Sequence, residues 1–310
     1  MEEKKLLVSA SPHIVDGSST RGLMIHVIIA LVPAMIASAI IFGARALAVV
    51  AVTVAACVLF EALFNILMKR PQTVSDCSAV VTGIILAFNL PPTIPLWTAV
   101  VGAFVAIVLV KQLFGGIGMN FANPALVGRI ALFLGFAAHM TNYAAPAGAL
   151  DGMASATPLA LGAEQSGVSM LRTLVLGTHP GMLGETCALM LVLGGVYLIA
   201  TGTISPAIPV TYLATVAVMS LLLGQDVVLQ LLSGGLLLGA FFMATDYVTS
   251  PFTLKGKIVF GIGLGVITCA IRFYSNMNEG VSFALLLMNL LVPYINDLTR
   301  QKPLGGGKAK

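Results

Sequence analysis

Ten apolar runs follow one another along the chain, at 23–42, 46–68, 77–90, 96–114, 124–140, 184–201, 205–223, 227–244, 257–274 and 280–296. Each is near the length of roughly 20 residues that a helix needs to cross the hydrocarbon core of a bilayer. The pattern predicts an all-α integral membrane protein with about ten transmembrane helices. The third run is short and ends in Asn89-Leu90-Pro91-Pro92. That predicts a tilted, broken or re-entrant segment, because proline stops a helix and irregular backbone survives at membrane depth only inside protein. Polar stretches divide the chain into an N-terminal segment 1–22, five spans within 23–140, a loop 141–183, five further spans within 184–297, and a tail 298–310.

The second five runs echo the first in register. Gly83 and Gly239, Pro95 and Pro251, and Asn120 and Asn276 are each 156 residues apart, and the same offset pairs Pro124 with Gly280, each opening an apolar run. Five spans per half is an odd number, so the halves are expected to lie in opposite orientations. Two inverted five-helix repeats is an architecture common in transporters, whose broken helices meet near the midplane.

Composition agrees with the pattern. Hydrophobic residues make up 58% of the chain and charged residues 9%, and the mean hydropathy is +1.01. Soluble domains carry about 25% charge, so this chain cannot cover a globule with polar surface. The net charge of +4 is a topology signal and not a nucleic-acid footprint. With the N-terminus inside, thirteen Lys and Arg fall on the cytoplasmic side and three, Arg45, Arg172 and Arg272, outside. The positive-inside rule then sets both termini in the cytoplasm and the 141–183 loop outside. No signal peptide is evident at the start of the chain. Cys57, Cys77, Cys187 and Cys269 stand singly, which argues against a disulfide framework or a metal cluster within the chain.

Chemistry in such a protein is sought first among acids in or beside spans, because they are costly there. Glu61, Asp76, Glu185, Asp246, Glu279 and Asp297 qualify. Those at span ends can simply sit in the interface. Asp246 lies in Ala244-Thr245-Asp246-Tyr247-Val248-Thr249-Ser250-Pro251, where a helix stops among hydroxyls. Such a break offers carboxylate, hydroxyl and freed carbonyl oxygens to a cation, or is a capped turn. Glu61 and Asp246 are the candidates for an ion path.

The segment Lys111-Gln-Leu-Phe-Gly115-Gly116-Ile-Gly118-Met-Asn120-Phe-Ala-Asn123-Pro124-Ala-Leu-Val-Gly128-Arg129 combines glycines with a proline-initiated helix. Backbone N–H groups at that start, the Asn amides and Arg129 are suited to a polar ring or an anion; alternatively the segment is only a tight turn. His13, His26, His139 and His179 have neither a neighbouring carboxylate nor a second histidine at ligand spacing, which disfavours haem and zinc. No nucleophile elbow or H-E-x-x-H motif is present.

Several stretches in order carry a resemblance: Ser11-Pro12-His13, Ser19-Thr20-Arg21, Thr82-Gly83, Asn89-Leu90-Pro91-Pro92, Phe114 to Ala125, Ser155-Ala156-Thr157-Pro158-Leu159, Gly184-Glu185-Thr186, Ala244-Thr245-Asp246, Glu279-Gly280-Val281 and Leu287-Met288-Asn289. Over essentially its whole length the chain resembles the membrane-protein family shared by Rnf electron-transport complexes, where it supplies the D-type component, and sodium-pumping NADH:quinone reductases, where it supplies the B-type component. The short segment before the first span favours the Rnf side.

The resemblance implies FMN joined through its phosphate to a threonine, at a pattern Asp-x-x-Ser/Thr-Gly-Ala-Thr. Asp151, Ala156 and Thr157 match it, while Ala154 stands at the Ser/Thr position and Ser155 at the glycine. It also implies a second, non-covalent flavin such as riboflavin nearer the cytoplasmic face, for which Gly115, Gly116, Gly118, Asn120, Asn123 and Arg129 are the candidate lining. Expected partners are the other membrane and peripheral subunits of an Rnf complex, a flavin transferase and the bilayer of a prokaryotic cell membrane. The expected function is electron passage across the membrane coupled to Na⁺ or H⁺ transport. The alternative is a stand-alone channel or transporter for a small polar solute.

Overall fold

The computed structural model describes residues 19–143, 159, 168–185, 187–275 and 280–300, and among them every regular element is helical. In chain order these are α1 Thr20–Phe42, α2 Ala44–Leu67, α3 Ser78–Phe88, α4 Leu96–Phe104 continuing into a π-helical turn Val105–Gln112, α5 Pro124–Gly135, α6 Ala137–Met140 and α7 Val168–Leu176. They continue as α8 Ala188–Ala200, α9 Ala207–Leu222, α10 Val227–Leu232, α11 Leu236–Leu238 with a π-helical turn Gly239–Met243, α12 Leu254–Tyr274 and α13 Val281–Leu298. Among the described residues α1, α2, α12 and α13 are long and apolar enough to cross a membrane, and five shorter apolar stretches stand beside them.

Local chemistry sets the boundaries. Ser19 caps α1 by accepting from Gly22 N at 3.1 Å, and Thr253 caps α12 by accepting from Gly256 N at 3.0 Å. Asn123 accepts from Ala125 N at 3.1 Å with Pro124 in the first turn of α5, as its sequence predicts.

Three apolar runs depart from one helix each. The third is helical only over Ser78–Phe88 and then breaks before Pro91. The fifth divides at Phe136 into α5 and α6. The eighth is not one span: Ser233-Gly234-Gly235 interrupts it, with Gly234 and Gly235 at φ +66° and +67°, a left-handed conformation that glycine adopts without strain. The stretch 141–183 is also not all loop, because it holds α7.

Packing relies on close approach, as expected where apolar lipid leaves helices little hydrophobic reason to associate. A Cβ on Gly261 would lie 1.9 Å from Thr211 Oγ1, and one on Gly265 2.5 Å from Thr215 Cβ. That four-residue spacing of small residues fits α12 against α9, where Tyr212 Oη and Thr268 Oγ1 pair at 2.7 Å. His26 Nδ1 and Tyr197 Oη, 2.8 Å apart, join α1 to α8. The perimeter is apolar, with Ile40, Leu67, Leu134 and Leu222 largely exposed, as a lipid-facing belt would be.

Candidate functional site

A cavity of about 310 Å³ lies where the starts of α1, α3 and α5, the π-turn after α4 and the break after Met243 converge. Its walls are mostly apolar, among them Leu23, Met24, Val27, Ile85, Phe241 and Phe242. Its polar residues are few: Thr20, Ser78, Thr82, Lys111, Asn120, Asn123, Thr245, Asp246 and Tyr247. A small-molecule site typically encloses about 300–1,000 Å³ with this balance of apolar wall and scarce, convergent polar groups.

Three predicted site residues meet here. Asn120, Asn123 and Asp246 all line the cavity. Asp246 Oδ2 accepts from Thr249 Oγ1 at 3.1 Å, which holds the broken segment in a turn. Asn289 of α13, with its amide oriented to suit its neighbours, donates to Thr249 O at 3.1 Å and accepts from Asn123 N at 3.2 Å. A polar thread thus runs from Asn123 through Asn289 and Thr249 to Asp246.

Glu61 is set one layer away. It is fully buried in α2, and Lys111, itself 3% exposed, donates to Glu61 Oε2 at 2.7 Å. Thr73 Oγ1 donates to Glu61 Oε1 at 2.5 Å, and Asn65 Nδ2 to Thr73 Oγ1 at 3.1 Å. Lys111 Nζ also donates to Ser78 Oγ at 2.5 Å, which in turn donates to Asp76 Oδ1 at 2.5 Å. Lys111 and Ser78 both line the cavity, so the buried ion pair opens onto it through its cationic side. The last turn of the π-helical stretch aims Lys111 there, and such turns recur at functional sites.

Other candidates are placed elsewhere. Gly115, Gly116 and Gly118 have φ of +123°, +99° and +88° and form the tight turn leading to Asn120, but they are not part of the cavity wall. Arg129 is buried between α5 and α13, donates to Ser282 Oγ and contacts Met182 Sδ at 3.2 Å, away from the cavity. Asp151, Ser155, Ala156 and Thr157 lie outside the described residues, as do Glu279 and Asn276. Leu159 rests against the Gly234 turn, beside Arg272.

Sequence pattern did not bring forward Lys111 as the partner of Glu61, nor Ser78, Thr73 and Asn289 beside them. One signal was available for the first. A carboxylate inside an apolar run demands a cation, and Lys111 is an ammonium held within another apolar run, near its same-side end. Asn289 carries no such signal, because an amide in a helix faces any direction its neighbours allow.

Among the described residues the helices and cavity define an all-helical protein built for apolar surroundings, with a ligand-sized chamber bordered by buried charge. The chain belongs to the NQR2, RnfD, RnfE family, whose model matches residues 7–305. It is 48% identical over 314 residues to the D component of the Na⁺-translocating ferredoxin:NAD⁺ oxidoreductase complex of Acetobacterium woodii, covering 100% of this chain and 98% of that protein. It is 37% identical over 316 residues to the D component of the proton-translocating ferredoxin:NAD⁺ oxidoreductase complex of Clostridium ljungdahlii, covering 96% of each. It is also 38% identical over 330 residues to the D component of the ion-translocating oxidoreductase complex of Stutzerimonas stutzeri, covering 93% of each.

Proposed function

We propose that this chain is the flavin-carrying membrane subunit of an ion-translocating ferredoxin:NAD⁺ oxidoreductase of the Rnf type. The observation that carries the proposal is the chamber lined by Asn120, Asn123 and Asp246 and bordered by the Glu61–Lys111 pair, in a chain whose full-length relatives bear that complex's name. Thr157 carries covalent FMN on the extracytoplasmic loop, beside Asp151, Ser155 and Ala156. The chamber holds a second, non-covalent flavin. Its apolar walls suit an aromatic ring, and its Asn amides suit the ring's polar edge. Bound flavin supplies the electron chemistry, while the chain supplies position, exclusion of water and fixed charge.

The relatives' names give Na⁺ in one case and protons in another, so the coupling ion follows from finer detail than family. Glu61 and Asp246 contact its path. The ten apolar runs form two inverted five-helix repeats, and the pairing of elements supports this. A short helix and break at Ser78–Phe88 answers a short helix and break at Leu236–Met243, and each is followed by a longer helix. Both termini are cytoplasmic in a prokaryotic cell membrane. The protein works with other membrane and peripheral subunits, and a flavin transferase loads Thr157. The stand-alone transporter reading has no observation that favours it over this one.

The test is in-gel flavin fluorescence of the denatured chain after co-expression with a flavin transferase, beside Thr157→Ala. A fluorescent wild-type band with a dark variant supports the redox role. A dark wild-type band, with the transferase active on another substrate, would overturn the covalent assignment and bring the transporter reading forward.

A further inference from the structure

Lys111 stands between two acceptors of its charge. On one side its ammonium reaches Glu61 Oε2 at 2.7 Å, and on the other it borders the chamber with Ser78. Both members of the pair are buried, in surroundings where an uncompensated charge is costly. Among the described residues, the side chains that hydrogen-bond Glu61 are Lys111 and Thr73, and of these Lys111 alone is cationic. Around the pair, Cys57 shares the interior of α2, Asp76 holds Ser78 ahead of α3, Arg70 donates to Gln112 O at 3.2 Å, and Asp246 lines the same chamber.

We propose that Lys111 is a shared counter-charge that couples the electron state of the chamber to cation uptake at Glu61. The inference rests on the reading of the chamber as a non-covalent flavin site. While the bound ring is oxidised and uncharged, Lys111 neutralises Glu61. One electron, delivered by an iron–sulfur or flavin centre of a partner subunit, adds one negative charge beside Lys111. The ammonium keeps its three protons and its attraction turns toward the chamber; no bond at Lys111 forms or breaks, and where the cation is H⁺ the bond formed is O–H at the Glu61 carboxylate. Glu61 is then left with one negative charge, and it takes up one monovalent cation, Na⁺ or H⁺. Departure of the electron returns Lys111 to Glu61 and expels the cation. Charge is balanced at each stage, one cation for one electron, and the low dielectric enforces the balance.

The consequence is linkage: cation binding and electron binding must favour one another equally. The full chain, produced without a flavin transferase so that Thr157 is unloaded, is reconstituted in lipid nanodiscs. Non-covalent flavin per chain is counted by extraction. The midpoint potential of that flavin is then followed spectroscopically against Na⁺ at fixed pH and against pH at fixed Na⁺. In the wild type the potential rises with the coupling cation, and Lys111→Arg keeps the shift because the charge is kept. The double variant Glu61→Gln with Lys111→Met leaves no unpaired buried ion, retains flavin and loses the shift. A double variant that holds flavin and shifts like the wild type would overturn the proposal, as would a wild-type potential indifferent to both cations. Absence of extractable flavin from the wild type would instead overturn the reading of the chamber itself, and the coupling with it.

Discussion

Two of the helix breaks among the described residues solve one physical problem in opposite ways. A chain that leaves a helix inside the membrane frees backbone groups that water cannot satisfy. After α3 the break is stitched shut by groups from elsewhere in the chain. Gly184 N donates to Phe88 O at 2.8 Å, Leu183 N to Leu90 O at 3.1 Å, and Arg45 Nη2 to Ile94 O at 2.9 Å. Asn89, Leu90 and Ile94 are all buried there. After Met243 the break is held by side chains, Thr249 to Asp246 and Asn289 to Thr249, and Thr245, Asp246, Tyr247 and Val248 face a chamber. A break closed by backbone pairing has no group to offer a ligand. One closed by side chains beside a void can exchange those partners.

The largest expected effect sharpens the contrast on the chamber side. Lys111→Met strands Glu61 as a buried charge and should cost about 3–5 kcal/mol, read as a lower thermal midpoint and poor yield in detergent. Adding Glu61→Gln should recover most of that loss. Equal stability of the single variant and the wild type would mean that Glu61 is buried uncharged.

On the sealed side, a Cβ at Gly184 would meet Phe88 Cβ at 2.5 Å and Leu238 Cδ2 at 3.0 Å. Gly184→Ala should therefore destabilise by about 1–3 kcal/mol through overpacking, while non-covalent flavin per folded chain stays unchanged. A variant that folds normally but loses flavin would erase the distinction between the two breaks.

Asp246→Asn preserves volume and the bond from Thr249, so its stability change should stay within about 1.5 kcal/mol. Coupled ion transport by the reconstituted complex should nevertheless fail. Unaltered transport would remove Asp246 from the ion path and leave it as a capping carboxylate.

The smallest effect concerns acid and the segment that plugs the sealed break. Burial holds the His179 imidazole below its ordinary value of 6.5, with Pro180 O opposing only in part. The unfolded chain takes up a proton near pH 6.5 that the folded chain refuses, so stability is whole above that pH and declines as pH falls below it. His179→Gln should flatten this decline in thermal melts taken across roughly pH 5 to 7; a decline equally steep in the variant would assign it to other groups.

The helical, apolar character of the fold was legible in the apolar runs, and four of those runs are single helices long enough to cross a membrane among the described residues. The proline pair at Pro91-Pro92 marked the first break, and Asn123-Pro124 marked the start of α5. The interruption at Ser233-Gly234-Gly235 was hidden because the leucines around it keep the run's average apolar. Asn120, Asn123 and Asp246 could be nominated from local turn chemistry, and they share one chamber. Arg129 was grouped with them by nearness in sequence, but within α5 it turns toward α13 instead. The Glu61–Lys111 pair joins residues 50 positions apart, a separation that local pattern does not encode.

The two π-helical turns have a consequence for insertions and deletions. Each ends within a few residues of a chamber charge, Val105–Gln112 containing Lys111 and Gly239–Met243 preceding Asp246. One residue added to or removed from a helix rotates everything beyond it by about 100°. Each wide turn therefore fixes the angular phase at which its charged side chain meets the chamber. A substitution inside these stretches leaves that phase in place, but a change in their length would swing Lys111 or Asp246 onto another face.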